Sequence, residues 1–145
     1  MFKDKINNDT IELVLERTIR KWPFKDVEYH YLIYTLDKPE IVGRCDFRLL
    51  INEENYYAGN IGYMIRRNNR GNNYAYQAAF LLCEMAKSSY NEIIITCSPE
   101  NHVSKHIIEK LHGELIETIE VPVNHFLYKQ GEKIKNIYKI DLNYF

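Results

Sequence analysis

The chain's sequence predicts an α/β (α+β) fold in which a mixed sheet carries packed helices. Three observations predict it. The chain reads as the element order β, β, β, β, α, β, α, β, β. Ala75, Ala78, Ala79, Leu82, Cys83 and Ala86 recur at helical spacing and form one apolar stripe. Between Asn60 and Lys87 a strand pattern gives way to a basic Gly/Asn loop that opens that helix.

The elements follow in order. Ile11 to Ile19 suits two periods: Ile11, Leu13 and Leu15 alternate as a strand, while Ile11, Leu15 and Ile19 fit a helix. A strand is favoured, and Trp22-Pro23 breaks it. Tyr29 to Leu36 is rich in aromatic and β-branched residues and reads as the second strand. Lys38-Pro39-Glu40 is a turn. Ile41 to Ile51 is the third strand, Asn52 to Asn55 polar turn material, and Tyr57 to Arg66 the fourth strand. The stripe then gives the first helix, widened by Tyr76, Phe80 and Leu81, with Cys83 in its core face. Glu92 to Cys97 is a buried strand. A second helix runs through Lys110-Leu111, with Gly113 as its stop and Ser98-Pro99 as one reading of its start. Glu114 to Val123 and Ile134 to Leu142 form a final strand pair, in which Tyr138, Ile140 and Leu142 share a face.

The junction at Arg70-Gly71-Asn72-Asn73-Tyr74-Ala75 carries chemistry. The first N–H groups of a helix have no intrahelical partner and hold the positive end of the macrodipole. A phosphate or pyrophosphate is the natural guest. Gly71 frees the tight turn, Asn72 and Asn73 tolerate left-handed or capping conformations, and Arg66, Arg67 and Arg70 add charge.

At 145 residues one domain, residues 1–145, is expected. A net charge of −1 with no basic stripe argues against nucleic acid. No apolar run spans a bilayer, and the first residues lack a signal-peptide core. The three cysteines, Cys45, Cys83 and Cys97, show no metal spacing and read as reduced thiols in a cytoplasmic protein. His102 and His106 stand at i, i+4, but no third ligand accompanies them, so no metal site is expected. The lack of a phosphate-loop Lys-Ser/Thr pair and of a Rossmann glycine pattern argues against a nucleotide-binding protein.

A second motif, Asn101-x-x-Ser104 followed by Ile-Ile-Glu-Lys-Leu-His-Gly, comes after the Glu92–Cys97 strand. Together with Arg70, Asn73, Ala75 and Ile65, five residues before Arg70, it resembles the GNAT superfamily of N-acyltransferases. Tyr56 to Tyr63 and Thr96 to Asn101 resemble a bacterial subgroup of predicted acetyltransferases without an assigned substrate. Asn73 departs from the family's middle glycine.

The resemblance implies a GNAT-like splayed sheet, parted between the strands ending at Arg66 and Cys97. It implies acetyl-coenzyme A as co-substrate, with the diphosphate held by Gly71, Asn72, Asn73, Tyr74, Ala75 and Tyr76 beside Arg70. Tyr63, Met64 and Ile65 would line the pantetheine arm, Ile65 N–H would meet the thioester carbonyl, and Asn101 and Ser104 would complete the coenzyme site. Most relatives carry two helices between their first two strands. Here about ten residues separate Ile19 from Tyr29, so the N-terminal helical region is shortened. The acceptor site is then more open, or completed by a partner subunit in a homodimer.

Acetyl transfer needs a neutral amine, a polarised carbonyl and a proton for the leaving thiolate. Where relatives place an acidic Tyr this chain has Ile108, and where they place a carboxylate it has Ala58 and Gly59. Tyr63, Tyr74 and Cys97 lie near the expected split as substitute acids. Asp46 and Glu54 are candidate bases, Asp46 alternatively being a strand carboxylate paired with Arg44 or Arg48. His125 is a speculative base or a solvated loop residue. The expected function is acetyl transfer to a primary amine of a small molecule, peptide or protein. The alternative is a non-catalytic acyl-coenzyme A-binding module.

Overall fold

The computed structural model describes residues 2–21 and 26–145. The expected break at Trp22-Pro23 lies outside them. Five strands form one antiparallel sheet in chain order: β1 (Lys5–Asn7), β2 (Ile11–Lys21), β3 (Asp26–Thr35), β4 (Ile41–Arg48) and β5 (Ile61–Ile65). β6 (Glu92–Cys97), β7 (Glu114–Glu120) and β8 (Ile134–Asp141) form a second sheet with β8 in the middle. Two main helices, α1 (Tyr74–Ala86) and α2 (His102–Lys110), a short α3 (Phe126–Lys129) and single 3-10 turns at Arg67–Asn69 and Leu142–Tyr144 complete the described chain.

The ambiguous first segment is a strand, and its mixed period has a cause. A bulge between Leu15 and Arg17 shifts its register against β3. Ile11 and Leu13 alternate inward before the bulge and the phase slips after it, which imitates helical spacing. β2 ends at Lys21 opposite Asp26, so only residues 22–25 separate β2 from β3. The strand β1 was not expected; at three residues it is too short to show a period.

α1 buries Ala78, Ala79, Leu82, Cys83 and Ala86 completely. These small side chains let it lie close to the first sheet, where Cys45, Phe47, Ile61 and Ile65 face it in one core cluster. Arg44, Asp46, Arg48, Gly62 and Met64 alternate to the other side of the same strands. α2 adds Ile107, Ile108 and Leu111 to that core. β8 is buried on both sides, since Ile137 is as fully covered as Ile140. The sequence pattern showed only the face of Tyr138, Ile140 and Leu142.

The fourth strand is shorter than its apolar pattern. At Gly59, φ is +74°, and the chain turns there. A side chain on Gly59 would also strike the Ile94 carbonyl at 2.8 Å. At that bend Gly59 itself bridges to Ile95 of β6, and after it β5 joins β4. Asn60, only 3% exposed, seals the junction. Its N–H donates to Ile94 O at 2.8 Å, and its carbonyl accepts from Arg48 N–H at 2.7 Å. Its side chain accepts from Ile94 N–H at 2.8 Å and donates to Arg48 O at 2.7 Å. The two sheets are joined here and part beyond it.

α2 stops at a Schellman turn, with Gly113 N–H bonded to Ile108 O and His112 N–H to Glu109 O. The left-handed residue is His112, φ +64°. Gly113 is required for another reason: a Cβ there would meet Ile108 Cγ2 at 2.3 Å. Pro99 lies ahead of the helix, in a turn closed by Asn101 N–H on Ser98 O, so Asn101 rather than Ser98-Pro99 begins α2.

Candidate functional site

β5 leads from the sheet junction into the basic loop. Bonds from Arg48 N–H to Asn60 O and from Arg66 N–H to Val42 O set the phase of the β4–β5 ladder. Even-numbered residues of β5 therefore bond β4, and Tyr63 and Ile65 turn their N–H and C=O groups to the opposite edge, into the split. Arg70 folds back and donates from Nε to Ile65 O at 3.1 Å. That bond ties the loop to the strand end and leaves the outer guanidinium nitrogens free to meet an anion.

The loop then turns through Gly71 at φ +87° and Asn73 at φ +64°. These left-handed residues aim the start of α1 at the cleft. The N–H groups from Gly71 through Tyr76 find no acceptor among the described residues. Asn73 occupies the N-cap position without capping, and no acidic residue stands in the first turn. A helix start lacking both devices presents its dipole and its N–H groups outward.

Of these residues all but Asn72 border a cleft of about 890 Å3, a volume within the range of ligand sites. One wall is Tyr63, Met64 and Ile65 with Arg70, Gly71, Asn73, Tyr74, Ala75 and Tyr76. The other is Asn101 and Ser104 with His102, Val103, His106 and Ile107. Asn72 stands outside the lining and donates to Asn69 O, which steadies the turn. The second wall was only partly foreseen. Residues one, two and five positions after Asn101 turn the same way once α2 starts there, a periodic signal readable from the cap. A smaller concavity of about 300 Å3 lies at the far edge of the first sheet, against Lys5 and Glu12, away from these strand ends.

Asn101 caps α2, its side chain accepting from Ser104 N–H at 3.1 Å. The Tyr63 hydroxyl donates to Ser104 Oγ at 3.0 Å, so the floor of the cleft is bridged from β5 to α2. Burial raises the Tyr63 phenol above its ordinary pKa, and it holds its proton at neutral pH. Cys97, 3% exposed, lies below the cleft rather than on its lining, and burial likewise raises its thiol.

Asp46 sits on the face of the first sheet opposite α1. Its Oδ2 lies 3.1 Å from an Arg48 guanidinium nitrogen, so of the two pairings expected the Arg48 one forms. Its carboxylate covers Gly62, where a Cβ would stand 2.7 Å from Oδ1. Burial raises its pKa, against the opposing pull of Arg48 and His30. His30 pairs with Glu28 beside it at 3.0 Å.

Other candidates have structural work. His125 is neither solvated nor free as a base: it is buried, its Nδ1 accepts from Leu127 N–H, and its Nε2 meets the Glu54 carbonyl. Ile108 is fully buried, so the position of the relatives' Tyr is a core position here. Among the described residues no group of three or more His, Cys, Asp or Glu could hold a metal. No helix of the described residues is long and apolar enough to cross a membrane.

Comparison with known proteins now adds to this geometry. The family model "Acetyltransferase (GNAT) domain" matches residues 4–114. Curated protein sequences give no match. Among solved structures, the chain is similar to a GNAT-family acetyltransferase from Bacillus anthracis, with TM-score 0.62, 21% identity, and 79% of this chain and 66% of that one covered. It is also similar to the microcin C7 self-immunity acetyltransferase MccE in complex with acetyl-CoA and AMP, with TM-score 0.66, 17% identity, and 92% and 93% covered. A ribosomal-protein-S5-alanine acetyltransferase from Vibrio fischeri gives TM-score 0.68, 10% identity, and 96% and 97% covered. At these identities the likenesses show a shared fold. The family match spans most of the chain and agrees with the parted sheets and the uncapped helix, and the chain belongs to the GNAT acetyltransferase family.

Proposed function

We propose that the protein transfers an acetyl group from acetyl-coenzyme A to a primary amine of a small molecule, peptide or protein. The observation that carries this reading is the run of free N–H groups from Gly71 to Tyr76 at the mouth of the cleft. They suit a diphosphate, with Arg70 beside it. Met64 and Val103, one on each wall, are exposed and line the cleft, and their side chains suit an apolar arm. The N–H groups of Tyr63 and Ile65 on the open strand edge suit the amides of that arm and the thioester carbonyl.

In the transfer, the amine nitrogen bonds to the thioester carbon and the carbon–sulfur bond breaks. Asp46 takes the proton the amine must lose, through a water where the amine is out of reach. Its carboxylate lies over Gly62 of β5, on the face of the first sheet opposite α1. Tyr63 supplies a proton to the departing sulfur and, through Ser104, keeps its hydroxyl turned to the cleft.

Isothermal calorimetry with acetyl-coenzyme A tests the reading, and binding in the micromolar range is expected. Absence of heat at millimolar ligand overturns it. Binding without acetylated product across a broad amine panel leaves an acyl-coenzyme A-binding module instead. Asp46→Asn should lower kcat about 100-fold, the scale of general-base catalysis, with acetyl-coenzyme A affinity retained. An unchanged kcat removes Asp46 from the mechanism.

A further inference from the structure

We propose that His106 contacts the coenzyme diphosphate from the α2 wall as an imidazolium, so that loading the cleft takes up a proton. The inference rests on the coenzyme reading above and deepens it. His102 and His106, one helical turn apart, belong to no group of three or more residues able to hold a metal among the described residues. Both are exposed, and both line the cleft. Lys105 and Glu109, also on α2, stand outside that lining. The helix thus turns its histidines rather than these charges to the ligand.

The last turn of α2 lies beside the first turn of α1. Lys110 Nζ donates to Asn73 Oδ1 at 3.1 Å and stands 3.9 Å from the centre of the Tyr76 ring. His106 is four residues before Lys110 on the same face of α2, and His102 four before that. His106 is therefore the nearer of the two to the free N–H groups of Gly71 to Tyr76. Charge decides what it does there. The cleft lining holds no aspartate or glutamate, and Arg70 is its one permanent cation. Its other titratable groups are the phenols of Tyr63, Tyr74 and Tyr76. No ion pair among the described residues engages either histidine. In the empty cleft Arg70, Lys105, Lys110 and the dipole at the start of α1 all oppose a further positive charge, with Glu109 on α2 as the nearby acid. A diphosphate reverses that balance. Histidine is the side chain whose ordinary charge change falls between pH 5 and 8, so the ligand draws a proton onto the ring. Binding that takes up a proton tightens as pH falls and weakens as pH rises.

Calorimetry with 3′-dephospho-coenzyme A tests this. That ligand keeps the diphosphate and lacks the phosphomonoester, whose own second ionisation near pH 6 would blur the count. Binding heats in buffers of different ionisation enthalpy give the protons exchanged. The wild type should take up a fraction of a proton at pH 7. Its Kd should rise roughly tenfold between pH 6 and pH 8, the scale of one charge-assisted hydrogen bond. His106→Gln should take up almost none and bind at both pH values about as the wild type does at pH 8. His102→Gln should keep most of the uptake. Uptake that is absent in the wild type, or that survives in His106→Gln, overturns the inference. Uptake with coenzyme A but none with the dephospho ligand moves the contact to the 3′-phosphate and overturns it too. A wild type that binds neither ligand removes the coenzyme reading together with this inference, whereas binding without uptake removes this inference alone. Thermal midpoints of both variants separate these effects from unfolding.

Discussion

Arg70→Glu should weaken acetyl-coenzyme A binding by about 100-fold or more, equivalent to about 2.7 kcal/mol. Two losses add. Arg70 Nε now satisfies the Ile65 carbonyl at the end of β5, and the bond is charge-assisted. A glutamate cannot donate there, so the carbonyl turns to water and the loop loses its tie to the strand. The variant also places a carboxylate beside N–H groups that the loop otherwise offers to a diphosphate. Repulsion from a ligand phosphate is strongest at low salt, because Arg70 is exposed and a Debye length at physiological ionic strength is only about 8 Å. Calorimetry at two salt concentrations checks it. The deficit should shrink, without vanishing, as salt rises, since the lost tether is indifferent to screening. Arg70→Gln should fall between, losing the charge while keeping a donor. Wild-type affinity for Arg70→Glu would mean that the diphosphate is held elsewhere than at this loop.

Much of this site was legible before any coordinates. Arg70, Gly71 and Asn73 stand on a loop whose chemistry is mostly backbone chemistry, and backbone follows local sequence closely. The stripe from Ala75 to Ala86 announces α1 because helix periodicity is a local signal. What stayed hidden is long-range. Lys110 and Asn73 are far apart in sequence, so nothing in either neighbourhood says that the ammonium of one meets the amide oxygen of the other. His125 looks like a polar loop residue until the fold brings Glu54 and Leu127 to its two ring nitrogens. Asp46 reads equally as a base or a paired surface carboxylate, and only the register of β3, β4 and β5 sets it against His30, Arg48 and Gly62. The overlong fourth strand has the same origin. Tyr57 to Arg66 is continuous in pattern, but the chain changes partner at Gly59 and Asn60, from β6 to β4.

That change of partner gives the largest expected effect on stability. Asn60→Ala should destabilise the fold by about 3 kcal/mol, from a typical total of about 5–15 kcal/mol. The main-chain bonds of residue 60 survive the substitution, because alanine keeps its N–H and C=O. The side-chain bonds do not. Ile94 N–H loses its acceptor and Arg48 C=O its donor, both at a site where residue 60 is 3% exposed. Buried groups left unpaired cost about 1–3 kcal/mol each, more than the bonds themselves contribute. Asn60→Asp separates the two: it keeps the acceptor for Ile94 but cannot donate to Arg48, and it buries a charge. It should be no more stable than Asn60→Ala. Chemical denaturation of the three proteins measures this, with the m-value reporting whether the folded state stays compact. The consequence for function follows from the geometry. Asn60 is the point from which β5 and β6 diverge, so loosening it changes the width of the cleft where Tyr63 reaches Ser104. Asn60→Ala at a temperature well below its midpoint should therefore also bind coenzyme more weakly. Wild-type stability in this variant would show that the two sheets are held together chiefly by the shared helical core, with the polar junction incidental.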